Sequence, residues 1–333
     1  MKRKFAYLVF LLFVSLSMYS QDIYQWRGEE RDGKYSGKNL LKTWPANGPE
    51  LLWFSDIIGD GYGAPTVSTD RIYVNGEIDS ISHIFAFDLS GKLIWKTPNG
   101  KEFTGNGFSS KFAGSRSALT IFGDLIYACS GNGRIVCLDK QTGKEKWSTE
   151  MVAGLNGMMP VFGYSESLLV DEKNVYCLPG GVNSNIAAVD RFNGKMIWTS
   201  KALSDTASYN SPLLIKLPAR SILVTFSAFN LMGIDAGTGE LLWSQKQEKV
   251  VYKQQCNTPI FENGFIYYVA GDGNGAVKLE LSADGKSIKQ VWRNQNIQNN
   301  FNGFVKINTA YPLRSFSFFI ISFNVLGDVA TAC

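Results

Sequence analysis

The sequence predicts an all-β fold, a β-propeller of four-stranded antiparallel blades. Three observations predict it: a sequence motif that recurs along the chain, the spacing of its tryptophans, and the short strands before each copy of the motif. The composition agrees, because 33 glycines against 10 prolines suit many tight hairpin turns better than long helices. No long segment after residue 20 has the 3.6-residue periodicity of an amphipathic helix.

The recurring motif consists of a strand, an Asp, a short polar turn with Gly, and a second strand that contains a Trp. Four copies are clear, and a fifth, degenerate copy runs through Asp284 to Trp292. The clear copies contain Asp88, Gly91 and Trp95; Asp139, Gly143 and Trp147; Asp190, Gly194 and Trp198; and Asp235, Gly239 and Trp243. A partial sixth copy, Leu51-Leu52-Trp53, has no Asp or Gly before it, and we interpret it as an orphan outer strand.

The spacing of the tryptophans predicts the architecture. Residues 53, 95, 147, 198, 243 and 292 are 42, 52, 51, 45 and 49 residues apart. One four-stranded propeller blade takes roughly 40 to 50 residues. The interval before each copy supplies two more strands rich in β-branched and aromatic residues, for example Thr66-Val67 followed by 71–74.

The repeated residues have a structural role. An Asp at the start of a turn accepts hydrogen bonds from backbone N–H groups about two residues further on, and Gly takes the positive φ that closes the hairpin. The Trp is expected to fill the gap between adjacent sheets. Residues repeated in every unit serve the unit, so none of these positions is assigned to catalysis, a cofactor or a metal.

The first 20 residues predict a signal peptide. Lys2, Arg3 and Lys4 precede an apolar run over 5–14, and small and polar residues follow up to Ser20. The run is too short to span a bilayer, and no Cys follows it to carry a lipid. We therefore expect a periplasmic or secreted chain without a transmembrane segment, with an N-terminal extension over 21–50, the propeller over 51–310 and an atypical tail over 311–333.

Charge and cysteines exclude some functions. Removing the signal peptide lowers the formal net charge from +4 to +1, and the basic residues form no stripe, so we expect no nucleic-acid partner. Five cysteines at irregular intervals do not form a disulfide framework. Cys129 and Cys137 flank one turn and could face each other across a hairpin; buried free thiols are the favoured alternative.

The repeated motif, with its Ala-x-Asp-x-x-Thr-Gly-Lys-x-x-Trp pattern, resembles the repeat of the pyrroloquinoline-quinone-like (PQQ-like) β-propeller repeat family. The resemblance covers about 22 to 308. The opening Gln25-Trp26-Arg27-Gly28, with Arg31-Asp32-Gly33 after it, is similar to the start of exported bacterial members.

The resemblance implies two alternative functions. One branch of the family contains quinoprotein alcohol dehydrogenases, which hold PQQ and Ca²⁺ in a central funnel and stack the quinone on a disulfide between adjacent cysteines. The other contains non-catalytic protein-binding scaffolds of outer-membrane protein assembly. No two cysteines are adjacent here, so we expect a scaffold with a protein partner and no cofactor. A PQQ-dependent alcohol or sugar dehydrogenase is the alternative, and a carbohydrate ligand on exposed aromatic residues is a third possibility.

Other candidate residues have structural interpretations. Asp60, Asp79 and Asp205 lie in loops with no spacing that marks a metal or base. His83, the only histidine, opens a strand. The segment 271–276 fits a dinucleotide-binding Gly pattern, but strand-like alternation follows it, so we interpret it as a β-turn.

The tail over 311–333 loses the repeat and becomes rich in Phe, Ser and Ile. One hypothesis is a truncated or altered family member. The other is that the tail supplies inner strands of a last blade whose outer strand is 51–54, which would close the ring.

Overall fold

Antiparallel sheets of four strands follow one another along the chain, and they confirm the predicted all-β propeller class. The computed structural model describes residues 23–35, 37, 40–301 and 303–307, so the predicted signal peptide and tail lie outside the described residues. Within the described part, no helix has the length and apolar character needed to cross a membrane.

The described part begins with β1 (Ile23–Tyr24) and contains five blades in sequence order. Blade 1 contains β2 (Thr66–Val67), β3 (Arg71–Ile78), β4 (Ile81–Asp88) and β5 (Leu93–Lys101). Blade 2 contains β6 (Thr120–Phe122), β7 (Leu125–Cys129), β8 (Arg134–Asp139) and β9 (Glu145–Glu150). Blade 3 contains β10 (Leu169–Val170), β11 (Asn174–Cys177), β12 (Ile186–Asp190) and β13 (Met196–Ser200). Blade 4 contains β14 (Leu213–Lys216), β15 (Ser221–Phe226), β16 (Asn230–Asp235) and β17 (Leu241–Lys246). Blade 5 contains β18 (Ile260–Glu262), β19 (Phe265–Ala270), β20 (Gly275–Leu281) and β21 (Ile288–Asn294).

The connections define two faces of the ring. Because neighbouring strands are antiparallel, the first and third connections of each blade lie at one end, which we call the turn face. The second connections and the long links between blades lie at the other end, the loop face. One 3₁₀ helix, Gly107–Phe112, lies on the loop face between β5 and β6.

Inside blades 1 to 3, the Trp packs over a small residue and reaches a Tyr beyond it. Trp95 lies opposite Ala86, which lies opposite Tyr73, and the Tyr73 and Trp95 ring centroids are 5.9 Å apart. The same arrangement joins Tyr127 to Trp147 across Cys137, and Tyr176 to Trp198 across Ala188. In these blades the Trp ring lies over a position that holds a small residue. In every blade a β-bulge follows the residue opposite the Trp, which in blade 5 is Lys278.

Between blades, each Trp caps the turn of the following blade. The indole N–H donates to the carbonyl of the residue that follows the turn Asp. The pairs are Trp53 to Leu89 (3.0 Å), Trp95 to Lys140 (3.3 Å), Trp147 to Arg191 (2.9 Å), Trp198 to Ala236 (3.2 Å) and Trp243 to Gly285 (3.2 Å). In blades 1 to 4 the ring also lies against the turn Gly, where an added Cβ would meet it at under 3 Å.

The interpretation of 51–54 as an outer strand needs correction. Trp53 contacts blade 1 as the other tryptophans contact their neighbours, but these residues are not a β-strand. Among the residues described by the structure, no strand pairs with them, and Leu52 is 80% exposed. A ring closed by the tail is a hypothesis that falls on undescribed residues.

The cysteines agree with the favoured alternative. Cys129 pairs with Ile135 and Cys137 with Tyr127, so the two cysteines do not face each other across the hairpin. Both are buried free thiols. Burial raises the pKa of Cys137 to about 12 and that of Cys129 well above its ordinary value, which makes both thiols poor nucleophiles.

Candidate functional site

Residues 23–31 of the N-terminal extension lie on the axial side of the inner strands. β1 pairs antiparallel with β6, the innermost strand of blade 2, with Ile23 opposite Phe122 and Tyr24 opposite Ile121. The inner strand of a blade has its outward edge occupied by the sheet, so its other edge faces the axis. The chain therefore enters the fold as a fifth strand of blade 2, which the sequence did not predict.

Arg31 anchors this extension in the centre of the ring. Its guanidinium donates to the carbonyls of Ser167 (2.9 Å), Leu168 (2.6 Å) and Pro212 (3.1 Å), and to Gln25 Oε1 (2.8 Å). The three carbonyls lie at the starts of the inner strands of blades 3 and 4. One side chain thus satisfies inner backbone groups of two blades, and only the five-donor fork of Arg can do so. Burial lowers the pKa of Arg31 to about 9.

Arg27 makes a similar contact with the segment that follows blade 5. It donates to the carbonyl of Phe304, whose ring is buried, and to the carbonyl of Arg31. Lys306, two residues after Phe304, forms an ion pair with Glu262 in blade 5. The segment 303–307 therefore continues the ring after blade 5, and the extension connects it with blades 2, 3 and 4.

Glu166 is a buried carboxyl beside this anchor. Its Oε1 accepts a hydrogen bond from the backbone N–H of Leu178 (2.9 Å), and its Oε2 has no partner. Burial raises its pKa to about 8, opposed by that hydrogen bond and by Arg31. Burial at this position thus favours the protonated form of the carboxyl.

A cavity of about 350 Å³ opens from the axis to the turn face. Its floor is formed by Gln25 and Arg31, and its rim carries exposed carboxyl groups of the extension and of the β10–β11 turn. Its walls are formed by apolar residues of β1 and of the inner strands, namely Ile23, Phe122, Leu169, Leu213, Ile215 and Phe261.

The loop face carries an aromatic cluster that is exposed at Phe108 and Phe112 and half-buried at Phe162 and Tyr209. We call Phe108, Phe112, Phe162 and Tyr209 the loop-face aromatic cluster, and their neighbouring ring centroids lie 5.4 to 6.4 Å apart. Phe108 is 66% exposed. The four rings come from three different links between blades, so the propeller brings them together from distant parts of the sequence.

Two cationic side chains, Arg116 and Lys111, contact residues of this surface. Arg116 donates to the carbonyl of Phe162 and lies 5.4 Å from the ring centroid of Tyr62. The Lys111 ammonium lies 5.7 Å from the ring centroid of Phe108. Such cation–π contacts orient exposed rings that would otherwise rotate freely.

The acidic residues singled out in the sequence have local structural surroundings. Asp205 accepts hydrogen bonds from Ser227 Oγ and from the backbone N–H of Phe229 (3.0 Å), which organises a loop of blade 4. The backbone of Asp60 forms an isolated β-bridge with that of Glu77, and Asp79 lies in the β3–β4 turn. No group of three or more His, Cys, Asp or Glu side chains suited to a metal ion occurs among the described residues.

His83 and the Gly-rich segment have local structural surroundings. The His83 ring lies in β4 with Nδ1 3.0 Å from the carbonyl oxygen of Ile81, and burial, with Lys96 nearby, lowers its pKa. Residues 271–274 form the turn between β19 and β20, as interpreted from the sequence.

The turn Asp residues are placed as hydrogen-bond acceptors. Asp190 Oδ1 accepts from the N–H groups of Phe192 (2.9 Å) and Asn193 (3.0 Å). Asp88, Asp139, Asp235 and Asp284 accept equivalent bonds in their own turns. Hydrogen bonds from Ser90 and Lys92 lower the pKa of Asp88.

A known protein family matches most of the chain. The family model for outer membrane protein assembly factor BamB matches residues 80–310. BamB from Bordetella pertussis is 24% identical over 230 residues, covering 68% of this chain and 50% of the relative. BamB from Yersinia pestis is 22% identical over 270 residues, covering 74% and 60%. The chain thus spans about half the length of the curated relatives it matches.

Two solved structures are similar in fold. The crystal structure of BamB from Moraxella catarrhalis matches with a TM-score of 0.53 and 17% identity, over 77% of this chain and 67% of that one. A europium-containing methanol dehydrogenase matches with a TM-score of 0.50 and 14% identity, over 75% and 56%. The expected resemblance is confirmed. With the repeated Trp-capped blades and a family model that matches most of its length, the chain belongs to the outer membrane protein assembly factor BamB family of β-propellers.

Proposed function

We propose that this chain is a non-catalytic, exported propeller that binds a protein through its loop face, in outer-membrane protein assembly. The observation that carries the proposal is the loop-face aromatic cluster. Contiguous exposed aromatic side chains are uncommon on proteins that bind nothing, and aromatic residues with Arg are enriched in interfaces.

The surroundings of the cluster support a protein partner. Next to Phe162, Val161 is 73% exposed, and Met158 and Met159 are exposed in the same link. Methionine adapts to varied apolar surfaces, and rigid rings lose little conformational entropy on binding. An apolar surface with pre-oriented rings fits a protein better than a small polar ligand.

The cellular role rests on the relatives. Their names describe outer-membrane protein assembly, and the sequence predicts export from residues 1–20. Since the chain spans about half of those relatives, the assembly role and the periplasmic location are part of the proposal. A carbohydrate ligand stays a prediction from the sequence.

A cross-linking experiment tests the role of the cluster. A photo-reactive residue placed at Val161 is expected to capture one envelope protein, which mass spectrometry identifies. Phe108→Ala with Phe112→Ala should reduce capture at least tenfold. The matched control, Met196→Ala with Ile197→Ala, removes exposed apolar side chains on an outer strand and should leave capture unchanged. Equal capture by both double variants contradicts the proposal.

The alternative, a PQQ-dependent dehydrogenase, finds less support in the axial residues. Arg31 and the extension fill the axis at the starts of the inner strands, and three backbone carbonyls already use the guanidinium. The sequence has no adjacent cysteines to stack a quinone. These residues do not fit the quinone and Ca²⁺ as the dehydrogenase branch holds them.

A reconstitution assay tests this alternative. The purified protein is incubated with PQQ, Ca²⁺ and an alcohol or sugar, and an artificial electron acceptor reports turnover. We expect no dye reduction above that of free PQQ with Ca²⁺. Saturable dye reduction that requires the protein would replace the scaffold proposal by the dehydrogenase.

A further inference from the structure

The axial cavity exposes strand edges. Four consecutive residues of β14, from Leu213 to Lys216, line it, as do the four consecutive residues 169–172 of blade 3. Side chains of a strand alternate between its two faces, so a surface lined by consecutive residues is the edge of the strand. The cavity wall is therefore backbone as well as side chain.

The extension shows that an inner edge accepts a strand. β6 is paired on its outer side with β7 and on its axial side with β1. β14 has β15 on its outer side and, among the described residues, no strand on its axial side. An unpaired edge is a template for an added strand, and partners of many proteins bind in this way.

The charge of the rim selects the added strand. Glu29, Glu30 and Glu172 line the cavity, are exposed, and form no ion pair among the described residues. Lys216 is the one exposed cation in the lining, since the Arg31 guanidinium is buried against carbonyls. The rim therefore favours a basic ligand. Ile23 and Phe261, which are only partly buried, favour apolar side chains on the part of the ligand that faces them.

We propose that the axial cavity binds an extended segment of a partner protein, added as a strand to the free edge of β14, with Lys or Arg side chains directed to Glu29, Glu30 and Glu172. The inference rests on the proposed protein-binding function and gives it a second site at the opposite face of the ring. The cavity of about 350 Å³ accommodates a short segment, comparable to the two-residue β1 beside it.

Labelled peptides test the site by fluorescence anisotropy. The probe is an acetylated and amidated Thr-Lys-Val-Lys-Val-Thr peptide, and its control replaces both lysines by Glu. We expect saturable binding of the lysine peptide and at least tenfold weaker binding of the glutamate peptide. The triple variant Glu29→Gln, Glu30→Gln and Glu172→Gln should bind the lysine peptide at least tenfold more weakly.

A charge-matched variant controls for net charge. Glu50→Gln, Glu240→Gln and Glu280→Gln remove three exposed carboxylates outside the cavity and should leave binding unchanged. N-methylation tests strand addition, because alternate N–H groups of an added strand point to its partner. Methylating one alternate set of peptide nitrogens should abolish binding, and methylating the other set should not.

The outcomes separate this site from the loop face. Equal binding of the two peptides, equal binding by the two triple variants, or insensitivity to both methylation sets overturns the axial site. If that happens while Val161 still captures a partner, the scaffold function stands without this site. If the lysine peptide binds as expected but capture at the loop face fails, the loop-face proposal is wrong instead.

Discussion

The tryptophan of each repeat serves two blades at once. Trp147 packs on Tyr127 within its own blade, and its indole N–H reaches the carbonyl of Arg191 in the next. It is 8% exposed. A side chain in this position stabilises both a sheet and the contact between sheets, so it is among the residues most sensitive to truncation.

Trp147→Ala tests this. Loss of the buried ring should lower the free energy of unfolding by about 3 to 5 kcal/mol. Trp44 is 68% exposed, and Trp44→Ala should change it by less than about 0.5 kcal/mol. Urea denaturation of the two variants makes the comparison. Similar midpoints would contradict a stabilising role of Trp147 between the two blades.

Glu166 predicts a pH dependence of stability. Its pKa is about 8 in the folded protein against an ordinary value of 4.5. A raised folded pKa means that the contribution to stability is complete below about pH 4.5 and is lost as the pH rises through 8. Glu166→Gln removes the titration while keeping an acceptor for the N–H of Leu178.

The variant should therefore gain stability relative to the parent as the pH rises from 5 to about 9. Urea midpoints at pH 5, 7 and 9 measure the difference. Glu240→Gln, an exposed carboxyl on a turn, should show no such trend. A difference between Glu166→Gln and the parent that does not change with pH would contradict the burial of a protonated carboxyl.

At the level of the hairpin, the turn Gly has two reasons to be glycine. Gly143 has a φ of +68°, and a Cβ there would also meet the ring of Trp95 at under 3 Å. Gly264 has a φ of +83° and nothing within 4 Å of an added Cβ. The two positions therefore separate backbone strain from crowding.

Gly143→Ala should destabilise the fold more than Gly264→Ala. The left-handed conformation costs each variant about 1 to 2 kcal/mol. Displacing the Trp95 ring should cost Gly143→Ala about 1 to 3 kcal/mol more. Denaturant unfolding of both variants measures this, and equal losses would mean that the ring moves away freely.

The sequence predicted these hairpins because their determinants are local. Asp, Gly and Trp lie within eight residues of one another, as in 88–95, and recur with the blade. β1 escaped prediction because two residues, Ile23 and Tyr24, are too short to show an alternating pattern. The small residue before each Asp was visible as a pattern, but its reason, a Trp ring lying over it, needed the strand register.

The candidate sites were harder to predict than the blades. Phe108, Phe162 and Tyr209 meet only because three separate links converge on the loop face. Arg31 was recognised as part of a resemblance but not as an axial anchor, because its main partners are backbone carbonyls that leave no mark in the sequence. Trp53 was recognised as part of the repeat because Leu51-Leu52-Trp53 matches the end of the local motif.

For the molecule as a whole, the extension is an internal support. Arg31→Ala leaves inner carbonyls of blades 3 and 4 without their donor and should cost at least about 3 kcal/mol. Amides of 23–34 should then exchange hydrogen faster, while those of the outer strand β17 stay protected. Lys42→Ala, an exposed change, is the control. Unchanged exchange in 23–34 would show that the extension is held without Arg31.

The five tryptophan bonds between the described blades run in the same direction along the chain. In each of them the indole N–H donates to a carbonyl 36 to 45 residues later. A chain that folds from its N-terminus therefore always carries one ring waiting for the next blade. Loss of a blade from the C-terminal side uncovers an indole, whereas loss from the N-terminal side only removes the cover of a polar turn, so the two ends of the propeller differ in their tolerance of truncation.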